Sequence, residues 1–373
     1  MTHYLLSVHL YLHIPFCARR CAYCDFAIAV RRVVPSERYV EAIAKEWALW
    51  QPHPVWNESR GIATIYFGGG TPSRLRPEAI GRLVDMIRAA RPVADAAEIT
   101  LEANPDDVTP AAAACWAAAG VNRVSLGVQS FDPAVLEWMH RTHRAEQVAP
   151  AIEVLRAAGI TNLSLDLIFG LPPALRRDWP RDLETALALE PRHLSLYGLT
   201  IEPRTPLGRW AGRGDVVPVP DEAYAAEFLH TAASLEALGW DHYEVSNAAR
   251  PGFRSVHNSA YWRRAPFIGL GPSAHSGFGT ERRWNLREWE AYLAAVETGR
   301  EPVQSGETVD MDAARLEDLY LGLRTTEGAP IQLIPSSISA AWTRAGWGSE
   351  TAGRFRLNAE GWLRLDALVA QAS

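Results

Sequence analysis

The sequence predicts an α/β protein built on a partial (β/α)6 barrel, with a small C-terminal helical domain of winged-helix-like pattern. Three observations carry this reading. Short apolar runs rich in β-branched residues recur through the N-terminal half; segments with helical spacing of apolar side chains separate them; and from about residue 305 the pattern changes to helices around a hairpin.

Strands are expected at 10–16 (LYLHIPF), 63–68 (ATIYFG), 97–103 (AEITLEA), 123–129 (RVSLGVQ), 162–169 (NLSLDLIF) and 193–200 (HLSLYGLT). Such runs read as strands buried on both faces. Helices are expected over 36–50, 77–90, 109–119, 145–158 and 178–190, several opened by Ser, Pro or Asp and closed near Gly120 or Gly159. Strand-helix alternation implies a parallel sheet with right-handed crossovers, which gathers functional residues at the carboxyl ends of the strands. Six units are too few for a closed eight-fold barrel, so a partial one is expected.

A further helix runs from Asp221 to the stop at Gly239. Beyond it "YEVSN", "HNSAYW" and "FIGLGPSAHSGFG" have no clean period and read as irregular structure covering one end of the barrel. A helix over 311–323, then "AAWTRAG", "RFRLNAEGWLRL" and a last helix, complete the chain. The expected division is a core barrel over 1–240, a covering segment over 241–304 and a C-terminal domain over 305–373.

The bulk numbers narrow the function. Across 373 residues, 37 Lys and Arg against 43 Asp and Glu leave a formal charge of −6, and no basic run interleaves with aromatics, which argues against nucleic acid as a partner. The N-terminus shows no basic stretch followed by an apolar core and cleavage site, and no apolar run approaches the about 18 residues that span a bilayer. A cytoplasmic protein is expected. In a reducing compartment its 4 cysteines favour metal binding over disulfides where they cluster.

Three of them do cluster: Cys17, Cys21 and Cys24 have the spacing C-x3-C-x2-C in a loop after the first strand. Zinc and ordinary iron–sulfur sites take four protein ligands. A fourth could come from Cys115, from His13 or from a small molecule. Cys115, in "AAAACWAAAG", reads as a buried mid-helix residue and His13 alternates within a strand. An open position is therefore the favoured reading, with a zinc loop as the alternative.

Polar residues at the other strand ends point the same way. "GGGTP" (68–72) closes the second strand, and glycine backbone there can approach a ligand closely. The Lys-Ser/Thr pair of a phosphate-binding loop is absent. Glu102 ends the third strand, Gln129 and Ser130 the fourth, Asp166 sits in the fifth, and Arg141 follows in "HRTHR". Burying such groups without partners is costly, so their recurrence at corresponding points implies a shared polar ligand. The G-x-G within "GLGPSAHSG" lies outside any first β-α-β unit and carries no dinucleotide reading.

The cysteine spacing, its place after the first strand and Tyr23 beside the last cysteine resemble the radical SAM superfamily. That resemblance implies a [4Fe–4S] cluster held by three thiolates, with a free iron for the amino and carboxylate groups of S-adenosylmethionine (SAM). Within it, "YLHIPFCARRCAYCDF", "YFGGGTPS", "LEANPDD", "SLGVQSFD", "DLIFGLP", "YEVSNAA", "HNSAYW" and "GLGPSAHS" occur in the order of the HemN-like group, which contains oxygen-independent coproporphyrinogen III oxidase and the heme chaperones of the HemW type. The group's SAM site is matched by Tyr11, Tyr23, Gly69, Gly70, Thr71, Glu102, Gln129, Arg141, Asp166 and Thr200.

Two departures separate this chain from the oxidase. The oxidase has a further cysteine two positions after its third, where Phe26 stands here, and a long segment before its cysteines, where 16 residues stand here. Conversely, His257 to Trp262 resembles the H-N-x-x-Y-W heme-binding motif of the chaperones. The resemblance implies that His257 is an axial ligand of heme, with Tyr261 and Trp262 covering the porphyrin. Heme and heme-accepting respiratory proteins are then the implied partners; peripheral membrane association and homodimerisation are left open. The alternatives are oxidative decarboxylation of coproporphyrinogen III in porphyrin biosynthesis, and a radical SAM enzyme for an unrelated substrate.

Overall fold

The computed structural model describes residues 6–57 and 59–372. Six parallel strands form its centre: β1 (Leu6–Ile14), β2 (Ser59–Gly69), β3 (Val93–Ala103), β4 (Arg123–Gln129), β5 (Asn162–Phe169) and β6 (His193–Gly198). They are neighbours in that order. The crossovers carry α1 (Ser36–Trp50), α2 (Pro77–Ala90), α3 (Pro110–Ala119), α4 (Val148–Ala157) and α5 (Trp179–Ala188). The partial (β/α)6 architecture expected from the alternation is the observed one.

Local chemistry sets the ends of these elements. Pro77 and Pro110 open their helices where a missing N–H costs nothing, Thr109 accepts from the Ala112 N–H, and Gly120 closes α3 at a φ of +92°. The first three strands begin about four residues earlier than expected. In β2 the leading residues Ser59–Gly61 are polar or small and pair through a register irregularity, so they carry no apolar signal.

The segment 241–304 differs from expectation. It is not irregular: after helix α6 (Asp221–Ala237), β7 (Asp241–Glu244) and β8 (Asn247–Ala249) extend the sheet beyond β6. Helix α7 (Val256–Trp262) follows; then β9 (Phe267–Leu270), β10 (His275–Phe278), β11 (Glu281–Asn285) and, after helix α8 (Trp289–Glu297), β12 (Val303–Thr308) extend it beyond β1. Among the described residues the sheet thus has 12 strands, in the order β12-β11-β10-β9-β1-β2-β3-β4-β5-β6-β8-β7. The added strands β7 to β10 have four residues or fewer, and the longer β11 and β12 are mostly polar, so none displays an apolar period of two.

From residue 311 the chain forms α9 (Met311–Leu323), β13 (Ala329–Pro330), α10 (Ser336–Arg344) and the hairpin β14 (Gly348–Thr351) with β15 (Arg354–Leu357), which also pairs with β13. Trp342 and Phe355 pack edge to face at 5.5 Å in its core. Arg324 joins this unit to the barrel through the buried Glu244, at 3.0 Å. No helix among the described residues is long and apolar enough to cross a membrane.

One buried carboxyl binds the added strands to the barrel's helical layer. Glu46 of α1 accepts hydrogen bonds from the Gly271 N–H at 2.7 Å, the Tyr292 hydroxyl at 2.6 Å and the Asn285 side-chain amide at 2.6 Å. Burial nevertheless pushes its pKa from 4.5 up to about 7. A carboxyl that holds its proton more tightly when folded contributes stability that is fully present below its unfolded pKa and lost as pH rises through about 7. Thermal midpoints measured across that window are expected to fall in the wild type and to fall less in Glu46→Gln.

Candidate functional site: a cysteine-lined cleft at the strand ends

The cysteine loop is folded back on β1 rather than hanging free. Phe16 and Cys17 pair in parallel with Ala29 and Val30, and the Arg31 N–H donates to the Cys17 carbonyl at 2.9 Å. The loop stands over the carboxyl ends of the strands and walls a cleft of about 360 Å3. Cys17, Cys21, Tyr23, Cys24, Gly69, Gly70, Thr71, Glu102, Gln129, Arg141, Asp166 and Thr200 all line it. The structure therefore gathers the cysteines and every residue matched to the SAM site except Tyr11; Ser130, which donates instead to the Asp182 carboxylate at 2.6 Å, and His257, Tyr261 and Trp262 lie outside it.

Several of these side chains are held by identifiable partners. The Thr71 hydroxyl donates to the Cys17 sulfur at 3.4 Å, and Arg141 directs an N–H toward the Cys21 sulfur at 3.6 Å. Burial raises the Cys17 thiol and pushes that of Cys24 up to about 11. Cys115 lies on α3 and does not line the cleft. His13 is spent as well: its Nε2 donates to the Ala27 carbonyl at 2.9 Å, which leaves Nδ1 to accept from the Tyr11 hydroxyl at 3.1 Å.

Backbone shape completes the cleft. Gly69 has a φ of +115°, and a Cβ there would fall 2.8 Å from the His13 ring. A Cβ on Gly70 would stand 3.0 Å from the Cys17 sulfur and 2.8 Å from the Pro15 carbonyl. Only glycine lets the strand end pass this close to the cysteine loop. Gln129, with no such freedom, sits at a φ of +68°, strain of the kind that collects at functional sites.

Electrostatically the cleft sets buried acids against the buried Arg141. Glu102 accepts from the Tyr66 hydroxyl at 2.8 Å and the Gly69 N–H at 3.1 Å, yet burial, and then the neighbouring Asp166, push its pKa up to about 7. Asp166, itself raised by burial, accepts from the Ser125 hydroxyl at 2.8 Å. Across from them Arg141 is fixed by the Asn104 side-chain oxygen at 2.7 Å and the Gly127 carbonyl at 2.8 Å, while its Nε is buried without a partner. An unspent guanidinium N–H beside acids poised to ionise suits a ligand bearing both a carboxylate and an ammonium. Among the described residues no three His, Cys, Asp or Glu side chains converge on one ion-sized point.

Tyr66, Asn104, Ser125 and Tyr197 belong to the cleft or its hydrogen bonds and were not singled out from sequence. For Tyr66 a signal existed: Thr64, Tyr66 and Gly68 share one face of β2, the face that carries polar side chains on every neighbouring strand.

His257 lies elsewhere. It is buried at the start of α7, its Nδ1 shares a 2.6 Å hydrogen bond with the Thr64 hydroxyl, and its Nε2 shares one of 2.8 Å with the Tyr261 hydroxyl. Its ring stacks on Tyr66 at 4.9 Å, on the side of the barrel interior away from the cleft. With both nitrogens engaged and the ring enclosed, axial ligation by His257 requires the bond to Tyr261 to open. Glu98 anchors this helix, accepting from the Val256 and His257 N–H groups at 3.0 Å each, with the buried Arg123 at 3.9 Å. Glu98→Ala would leave that guanidinium uncompensated and is expected to cost about 3–5 kcal/mol of unfolding free energy, read by denaturant titration.

The model of the radical SAM superfamily matches residues 11–186. The heme chaperone HemW of Synechocystis sp. is 36% identical over 342 residues, covering 89% of this chain and 82% of the relative. HemW of Bacillus subtilis is 35% identical over 324 residues, with 85% and 83% covered, and that of Escherichia coli 39% identical over 272 residues, with 73% and 70% covered. Among solved structures, coproporphyrinogen III oxidase (HemN) of Escherichia coli, a radical SAM enzyme, superposes with a TM-score of 0.81 over 98% of this chain and 90% of that one; at 21% identity the likeness is one of fold.

Proposed function

Since the chain belongs to the radical SAM superfamily and, within it, to the HemW heme chaperone family, we propose that it binds heme and passes it to respiratory apoproteins, with a [4Fe–4S] cluster on Cys17, Cys21 and Cys24 and SAM in the adjoining cleft. The observation that carries the cluster and SAM is the convergence of the three cysteines, the glycine turn and the unspent Arg141 Nε on one cleft that contains no fourth thiol. In this reading the thiolates hold three irons, Arg141 meets the SAM carboxylate and Glu102 its ammonium. When bound, the reduced cluster supplies an electron to the sulfonium of SAM. The chain's own part is to hold the amino-acid end of SAM against one iron, with Gly69 and Gly70 close enough for backbone contacts.

The oxidase alternative has less support. Phe26 stands where the oxidase has its extra cysteine, and the likeness to the solved oxidase is one of fold. Anaerobic reconstitution with hemin, SAM, reductant and coproporphyrinogen III separates the two. Stoichiometric hemin binding, transfer to an apo-cytochrome and no protoporphyrinogen support the chaperone; turnover of the porphyrinogen without hemin binding would install the oxidase.

Two outcomes are expected at the cleft itself. Serine at Cys17, Cys21 or Cys24 abolishes the iron–sulfur absorbance after reconstitution, whereas Cys115→Ser leaves iron and sulfide content unchanged. Because Glu102 ionises near pH 7, SAM binding followed by calorimetry strengthens as pH rises through that value, and Glu102→Gln flattens the dependence.

A further inference from the structure

A second recess opens on the other side of the cysteine loop, and Asp25 and Phe26 line both it and the cleft. It encloses about 470 Å3, and its floor is the inner face of the sheet where the sheet runs on past β1. Tyr11 of β1, Phe267 of β9 and Tyr261 of α7 supply aromatic surface. Phe26, 59% exposed, stands at the rim without cover. A neighbouring hollow of about 570 Å3 shares Phe26 and Arg287 with it, so a flat ligand has room to extend past them.

The recess holds one unused imidazole. His275 begins β10, is exposed, and stacks on Trp284 at 5.7 Å with 24° between the rings. Neither of its nitrogens has a hydrogen-bond partner among the described residues, whereas both nitrogens of His13 and of His257 are engaged. Partial burial holds its pKa below the usual value, although Glu307 pulls the other way, so the ring is neutral and able to ligate near neutral pH. Arg287 lines the same recess with one N–H given to the Asp25 carbonyl at 2.8 Å, which leaves further donors for a carboxylate; the Asp25 carboxylate lies nearby as the recess's acid.

Aromatic walls, one free imidazole and a guanidinium are the complement of a flat, largely apolar iron macrocycle with peripheral carboxylates. Resting on the heme-chaperone reading above, we infer that this recess is the heme site, with His275 as the axial ligand of the iron. His257 then acts as a positioning residue: its hydrogen bond at 2.8 Å fixes the Tyr261 hydroxyl and so the wall that Tyr261 contributes. The heme and cluster sites share the segment Asp25–Phe26.

The test is hemin titration of the full-length protein, with the Soret band and the EPR spectrum of the ferric complex recorded for wild type, His275→Ala, His257→Ala and Tyr261→Phe, each checked for folding by circular dichroism. The expected result is that His275→Ala loses the wild-type ligation signature and binds hemin weaker by at least the about 10- to 100-fold that even outer-shell partners of metal ligands contribute, and that free imidazole restores the spectrum. His257→Ala and Tyr261→Phe keep the signature and change affinity alone. If His275→Ala keeps the wild-type spectrum and affinity while a folded His257→Ala loses them, the assignment is overturned and the heme-chaperone reading stands. If the wild type binds no hemin, that reading fails first and this one with it.

Discussion

The inner face of the parallel strands is polar along much of its length, and it is buried; nearly everything distinctive about the protein follows from the need to satisfy it. His9, Thr64, Glu98, Arg123, Ser164 and His193 are all enclosed there. Buried polar groups must be paired or their desolvation cost stands against folding. Near the amino ends of the strands much of the pairing is internal: His9 with Thr64, Thr64 with His257, Ser164 with His193, and His193 with Tyr243, although the Arg123 Nε is left without a partner. Helix α7 fits this layer because Glu98 receives its first N–H groups and Thr64 one nitrogen of its histidine.

Toward the carboxyl ends the pairing is incomplete, and that is where the cleft lies. Glu102 and Asp166 are held near one another at a cost that shows as raised pKa values, and Arg141 keeps a buried Nε unpaired. The strained Gln129 and the close approach of Gly70 to Cys17 add backbone conformations that internal packing alone does not reward. The same face is thus paired largely by its own side chains at one end and opens at the other into the cleft beneath the cysteine loop.

The H-N-x-x-Y-W run is the clearest instance of a motif whose residues divide between these roles. Its histidine belongs to the internally satisfied layer, while its tyrosine reaches the surface recess beside the cysteine loop. A sequence motif reports that residues act together; it does not report which of them faces the ligand. Here the hydrogen bond between His257 and Tyr261 is the connection, and burial separates the positions.

Much of the molecule was legible without coordinates. The C-x3-C-x2-C spacing, the glycine turn and the polar residues ending apolar strands are local patterns, and β-α alternation dictates on which end of the sheet they meet. The strands of 241–308 were not legible, because short strands gain their hydrogen bonds from the sheet edge they join rather than from their own periodicity. Nor were Tyr66 and Asn104, whose importance lies in what they hold rather than in what they are. The sequence by itself determined the barrel, the cysteine loop and the polar strand ends that meet beneath it, since spacing and alternation are properties of the chain. Only the tertiary structure decided that His257 is enclosed and His275 exposed, because burial and hydrogen-bond occupancy depend on strands and helices far apart in sequence closing around one imidazole and not the other.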